Sequence, residues 1–134
     1  MQDTAPTNSW QKHVEHVRGK GLLAKPLYVI LTTPVAGLET LAAHLPAHLA
    51  YQKDLEARGI TFAAGPFADD AEQAWSGEGM IIVRAGSVHE ARAIAEADPM
   101  HSSGVRRFRV RPWLLNEGSY TLTVRYSEPH RSVG

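Results

Sequence analysis

Residues 79–111 read GMIIVRAGSVHEARAIAEADPMHSSGVRRFRVR. The run Met80-Ile81-Ile82-Val83 is continuously apolar and predicts a strand over 79–85 that is buried on both faces. Ser87 followed three residues later by Glu90 forms a capping box. It opens a helix that places Ala91, Ile94 and Ala95 on one face. Asp98-Pro99 ends that helix, because the residue before a proline avoids the α region. Val105–Arg111 then reads as a second strand. A strand, a helix and a returning strand in this span form one half of a split β-α-β unit.

The other half lies upstream. Leu27–Thr33 is rich in β-branched and aromatic residues and predicts a strand, broken by Pro34 and Gly37. A helical pattern follows from Leu38 to Arg58 and stops at Gly59. Pro46 lies inside it, and an interior proline costs about 3 kcal/mol. The expectation is therefore a short turn, then a main helix starting at Pro46. Ile60, Phe62 and Ala64 alternate as a strand closed by Gly65-Pro66, and residues 67–78 form a loop with Asp69, Asp70 and Glu72.

The resulting order, β-α-β-β-α-β, predicts an α+β, ferredoxin-like fold with an antiparallel sheet. Its helices cover one sheet face only. In so short a chain a second copy covers the other most economically, which predicts a homodimer. Outside this core, Ser9 caps a short helix bearing Trp10, Val14 and Val17, ended by Gly19 and Gly21. Residues 1–8 are polar and read as a frayed end. Tyr120, Leu122, Val124 and Tyr126 alternate as a fifth strand. The expected organisation is an extension over 1–24, a main domain over 25–115, and a C-terminal strand and tail over 116–134.

Composition narrows the function classes. The 134 residues are 43% hydrophobic and 21% charged, as in an ordinary globular domain. Net charge is zero, which argues against a nucleic-acid partner, since that needs a dominant basic face. Absence of Cys removes disulfides, cysteine nucleophiles and thiolate metal sites. The longest purely apolar run, Leu27–Leu31, has five residues, so neither a membrane span nor a secretory signal is expected, and the predicted location is cytoplasmic.

Two residues stand out as candidate chemistry. His48 falls at the edge of the helical stripe Leu45, Leu49, Gln52 and Leu55. An imidazole there is either a packed core group or a half-buried general base. Asp98 shares the face of Ala91, Ile94 and Ala95 at the negative end of its helix dipole. It is either a plain helix stop or a charge that a cation must balance, and His48 would serve. His44 and His48 are four apart, but Pro46 between them and the lack of an adjacent Glu argue against a metal pair. No metal and no cofactor are expected. Arg107, Arg109 and Arg111 share one strand face, opposite Arg106, Phe108 and Val110, as a solvated edge or an anion-recognising wall.

With these residues in place, LPAHLAYQKDLEARGITFAAGPF (45–67) and SVHEARAIAEADPMHSSGVRRFRVRPW (87–113) resemble the YCII-related (YciI-like) family. The matching pieces are His48, Ala64-Gly65-Pro66, Asp98-Pro99, Gly104 and Pro112-Trp113. The resemblance implies a dimeric α+β barrel and a catalytic pair of His48 and Asp98. It implies proton abstraction on a small quinol-like or enolisable substrate, with elimination such as dehydrochlorination, or isomerisation. Gly65, Pro66, Met100 and His101 would flank the substrate. Family members often carry Arg three residues before the His, where this chain has Leu45, so Arg107 or Arg109 would substitute. The rival reading is a non-catalytic ligand-binding or stress-related homodimer with a structural His-Asp pair.

Overall fold

In the computed structural model, which describes residues 9–127 and 130–134, the expected elements appear in order, with α4 and β6 in addition. They are α1 (Trp10–Gly19), β1 (Lys25–Pro34), α2 (Leu38–Ala57), β2 (Thr61–Pro66), β3 (Gly79–Val83), α3 (Val88–Glu96), α4 (Pro99–Ser102), β4 (Arg106–Leu115), β5 (Leu122–Arg125) and β6 (His130–Val133). β1 to β4 form one antiparallel sheet in the order β2-β3-β1-β4. The fold is α+β and ferredoxin-like.

Sheet alternation separates the two faces. Ile30, Ile81, Val83 and Val110 turn toward Ala91 and Ala95 of α3 and form the main buried cluster. Arg107, Arg109 and Arg111 stand exposed on the opposite face, as their spacing on β4 predicted. Small residues on α3 let the helix lie close to the sheet. The capping pattern forms with its return bond shifted by one residue: Ser87 Oγ accepts the Glu90 N–H at 3.1 Å, and the Glu90 carboxylate accepts the N–H of Gly86, just before the cap, at 2.8 Å.

Three local expectations are corrected. First, α2 does not begin at Pro46; it runs unbroken from Leu38 to Ala57. Pro46 deprives only the Ala42 carbonyl of its donor, and Ala42 is exposed, where solvent can satisfy it. Leu41 and Leu55, one in each half, are both buried and hold the two halves in line. Second, the packed face of α2 is not the Leu45–Leu49 stripe. Leu45 and Leu49 are exposed, and the inward groups are Leu41, His48, Tyr51, Gln52 and Leu55. Third, Asp98 does lie just past the C-terminus of α3, but that is only half of its setting. The chain turns after α3, and Asp98 becomes the N-cap of α4, accepting the Met100 N–H at 2.9 Å. Its charge is favourable there.

α2 ends in a Schellman arrangement. Gly59, at φ +73°, lets Ile60 N–H reach the Leu55 carbonyl at 2.9 Å while its own N–H reaches Glu56 at 3.0 Å. That turn feeds the chain directly into β2.

Two compact units are present: Pro26–Leu114, and the flanking segments. In the flanking unit Ser9 caps α1, with Val14 and Val17 buried, and Leu23 N–H donates to the Asn116 carbonyl. The expected fifth strand is shorter than the Tyr120–Tyr126 alternation suggested. It pairs with β6, which no sequence signal had marked, in a separate two-stranded sheet. The expected frayed end, 1–8, lies outside the described residues. Among the described residues no helix is long and apolar enough to cross a membrane.

Candidate active site

Sheet register brings one end of the Pro26–Leu114 unit together. Thr32 on β1 and Pro66 on β2 both pair with Gly79 on β3, so three strands present one row at this end. β4 starts at the same end with Arg106. The α3–α4 junction supplies Asp98 and His101, and the third turn of α2 supplies His48. These groups line a cavity of about 610 Å³ together with Gln52, Gly65, Trp75 and Glu78. That volume suits a small aromatic or alicyclic molecule.

The centre of the site is a His-Asp pair. His48 Nδ1 lies 2.9 Å from Oδ1 and 2.8 Å from Oδ2 of Asp98. Asp98 is 1% exposed, yet its charge is well served. Besides His48 it accepts the Met100 N–H at Oδ1 and the Gln52 amide at Oδ2, at 2.9 and 3.1 Å. Burial alone would raise the Asp98 carboxyl. The hydrogen bonds from His48 and the Met100 N–H, with the charge His48 carries when protonated, outweigh it and hold the group below the ordinary carboxylate value. An ionised Asp98 requires the proton on His48 Nδ1. In the neutral ring the lone pair then sits on Nε2, which has no hydrogen-bond partner among the described residues. The arrangement is that of a base with an orienting carboxylate.

A second polar chain stands beside it. His101 Nδ1 donates to the Ala95 carbonyl at 2.7 Å, and its Nε2 lies 2.8 Å from Thr32 Oγ1. Burial pushes His101 below its ordinary value and keeps the ring neutral. The Thr32 hydroxyl therefore donates to Nε2, and the Arg106 guanidinium donates to Thr32 Oγ1 at 3.4 Å. Phe108 packs against the His101 ring with centroids 4.7 Å apart. Arg106 also donates to the Gly77 carbonyl.

The structure brings together His48, Asp98, Gly65, Pro66 and His101 at this cavity. Met100 is not on its wall; it is buried against Leu41 and Val105. Arg107 and Arg109 line a different hollow of about 490 Å³, with Leu31, Thr33 and Phe67. The arginine that does face the His-Asp cavity is their neighbour Arg106, whose parity on β4 is opposite. The strand alternation places it on the face opposite Arg107, Arg109 and Arg111 and carries no further sign of a cavity. Thr32, Gln52 and Trp75 were also missed. Gln52 had a usable signal, since it follows His48 by one helical turn; Thr32 and Trp75 had none. α2 being continuous, His44 and His48 stand one turn apart, but His48 Nδ1 is taken by Asp98. Among the described residues no three His, Cys, Asp or Glu side chains converge as a metal site.

Comparison with known proteins adds two findings. Residues 27–114 match the YCII-related domain. A similar solved structure is the 5-chloro-2-hydroxyhydroquinone dehydrochlorinase TftG of Burkholderia phenoliruptrix AC1100, in complex with 2,5-dihydroxybenzoquinone. The two share 25% identity at a TM-score of 0.54, over 65% of this chain and 92% of that one. No curated protein matches the chain.

Proposed function

Because the chain belongs to the YCII-related family over residues 27–114, we propose that it is a small-molecule enzyme that abstracts a proton with His48. The observation that carries this reading is the double contact of His48 Nδ1 with both oxygens of Asp98, at 2.9 and 2.8 Å. It leaves Nε2 as the only basic atom of the pair that a molecule in the cavity can meet. Asp98 holds the tautomer and stabilises the imidazolium that forms. Gly65, Pro66 and His101 shape the pocket.

The substrate class we infer is a small quinol-like or enolisable ring compound, consistent with the dehydrochlorinase and its bound quinone. In the elimination, Nε2 takes a proton from the substrate, the freed electron pair enters the ring as a π bond, and the C–Cl bond breaks with chloride keeping its electron pair. The net loss is one proton and one chloride, with no redox partner. In the isomerisation the same imidazolium returns its proton at another carbon.

Chloride release and quinone absorbance with a chlorinated hydroxyquinol test the proposal, beside ring opening or shift of a small lactone. Wild-type protein is expected to turn over, and His48→Gln to lower kcat by about 10²–10⁴-fold, the usual contribution of a positioned base. Equal rates in wild type and His48→Gln would refute it. So would a lack of wild-type turnover together with a large loss of stability in His48→Ala, which marks a structural pair.

A further inference from the structure

Arg106 is a half-buried cation on the cavity wall, and neither ion pair among the described residues, His48–Asp98 or Arg58–Asp54, involves it. Taking a guanidinium partly out of water costs free energy; the Asp98 carboxylate offsets part of it through its field but makes no direct contact, so a bound anion would recover more. Its two partners are neutral oxygens, Thr32 Oγ1 and the Gly77 carbonyl. They fix the plane of the fork and leave its other N–H donors open.

That support is built in from both sides. Thr32 commits its proton to His101, whose other nitrogen is tied to the Ala95 carbonyl, so the hydroxyl offers Arg106 only lone pairs. Gly77 is buried at φ +95°, and a Cβ there would lie 2.7 Å from Pro34 Cγ. Only glycine fits that turn and brings its carbonyl to the guanidinium. The other charged groups at the cavity besides the His-Asp pair, Lys53, Glu56 and Glu78, are exposed and screened by solvent. A planar fork of this kind matches a planar oxyanion through two parallel hydrogen bonds, as an ammonium does not.

We propose that Arg106 is the anion-recognition residue of this cavity, and that its ligand is a small planar ring compound bearing a carboxylate or an enolate oxygen. The assignment of such a ligand as substrate rests on the function proposed above; the anion site itself does not.

Titration calorimetry with two anion–neutral pairs tests it. The pairs are 2,5-dihydroxybenzoate against the neutral 2,5-dihydroxybenzamide, and the enolic acid 2-hydroxy-1,4-naphthoquinone against its neutral 2-methoxy ether. Wild type is expected to prefer at least one anion over its neutral partner by about tenfold or more, the scale of one charge-assisted hydrogen bond. Preference in the first pair names a ring acid, and in the second a hydroxyquinone. Arg106→Gln should abolish the preference, Arg106→Lys should restore part of it, and Arg109→Gln, on the opposite strand face, should leave it intact. No preference in wild type, or its survival in Arg106→Gln, overturns the proposal. So does equal weakening of both members of a pair, which would mean that Arg106 merely supports the Gly77 turn. Should Arg106→Gln fail to fold by circular dichroism, Arg106→Lys carries the test, and an undiminished anion preference with altered fork geometry overturns bidentate recognition. Arg106-dependent anion binding in a protein without turnover would retire the proposed reaction and leave this site standing.

Discussion

Gln52, one turn beyond His48 on α2, donates to the same Asp98 oxygen that His48 Nδ1 approaches: 3.1 Å for the amide and 2.8 Å for the imidazole. Asp98 is therefore held by two side chains of α2 and by its own following backbone, and the imidazole is only one of its three donors. The side chains have unequal access to water, at 22% for His48 and 2% for Asp98.

This asymmetry predicts unequal costs of truncation. In His48→Ala the carboxylate keeps Gln52 and the Met100 N–H, and water enters from the cavity, so the expected loss is below about 2 kcal/mol. Asp98→Ala removes the N-cap of α4 and strands three donors at once, and about 3 kcal/mol or more is expected. Urea denaturation of both variants at pH 7 measures the difference. Equal losses would show that the pair, and not the wider network, sets the energetics.

Acid stability follows from Asp98 and His101. Both have folded values below their ordinary ones, 3.8 and 6.5, so on acidification the unfolded chain binds the proton first. Stability is then full above the unfolded values and falls with falling pH. Two declines are expected, one beginning below about pH 6.5 from His101 and a second below about pH 4 from Asp98. Thermal denaturation across pH 3–8 of wild type and His101→Gln checks this. The variant should lose the upper decline and keep the lower one.

Pro46 offers a test of the unbroken helix. Its ring costs α2 a hydrogen bond at an exposed position, and alanine restores it. The gain is partly offset by the freer unfolded chain. Pro46→Ala is expected to stabilise by about 1 kcal/mol, raising Tm by roughly 3–5 °C for a chain of this size. A loss would mean that the proline shapes the helix to seat His48, and turnover should then fall with it.

The exposed sheet face bearing Arg107, Arg109 and Arg111 leads to a prediction about assembly. A homodimer covering that face should sediment at twice the 14.7 kDa chain mass. Charge reversal of Arg107 and Arg109 should weaken it, since both line the hollow on that side. A stable monomer at micromolar concentration would remove the expectation.

Element identity was legible along the chain because it rests on local physics. The capping box at Ser87 and Glu90, the apolar run at Met80–Val83 and the glycine at 59 each act within a few residues, so the β-α-β-β-α-β order and the two residues of the His-Asp pair could be read without coordinates. Pro46 misled, because a local penalty of a few kcal/mol is overridden when Leu41 and Leu55 are buried on either side of it. The face of α2 misled for the same reason: an apolar stripe shows what can be buried, and packing decides what is. The second polar chain was beyond reach altogether. Thr32, His101 and Arg106 are 69 and 74 residues apart in their contacts, and strand register and the α3–α4 turn alone bring them together. The parity of Arg106 on β4 was written in the sequence; that its face opens onto a cavity, while its neighbours Arg107 and Arg109 face away from it, was decided by the tertiary structure.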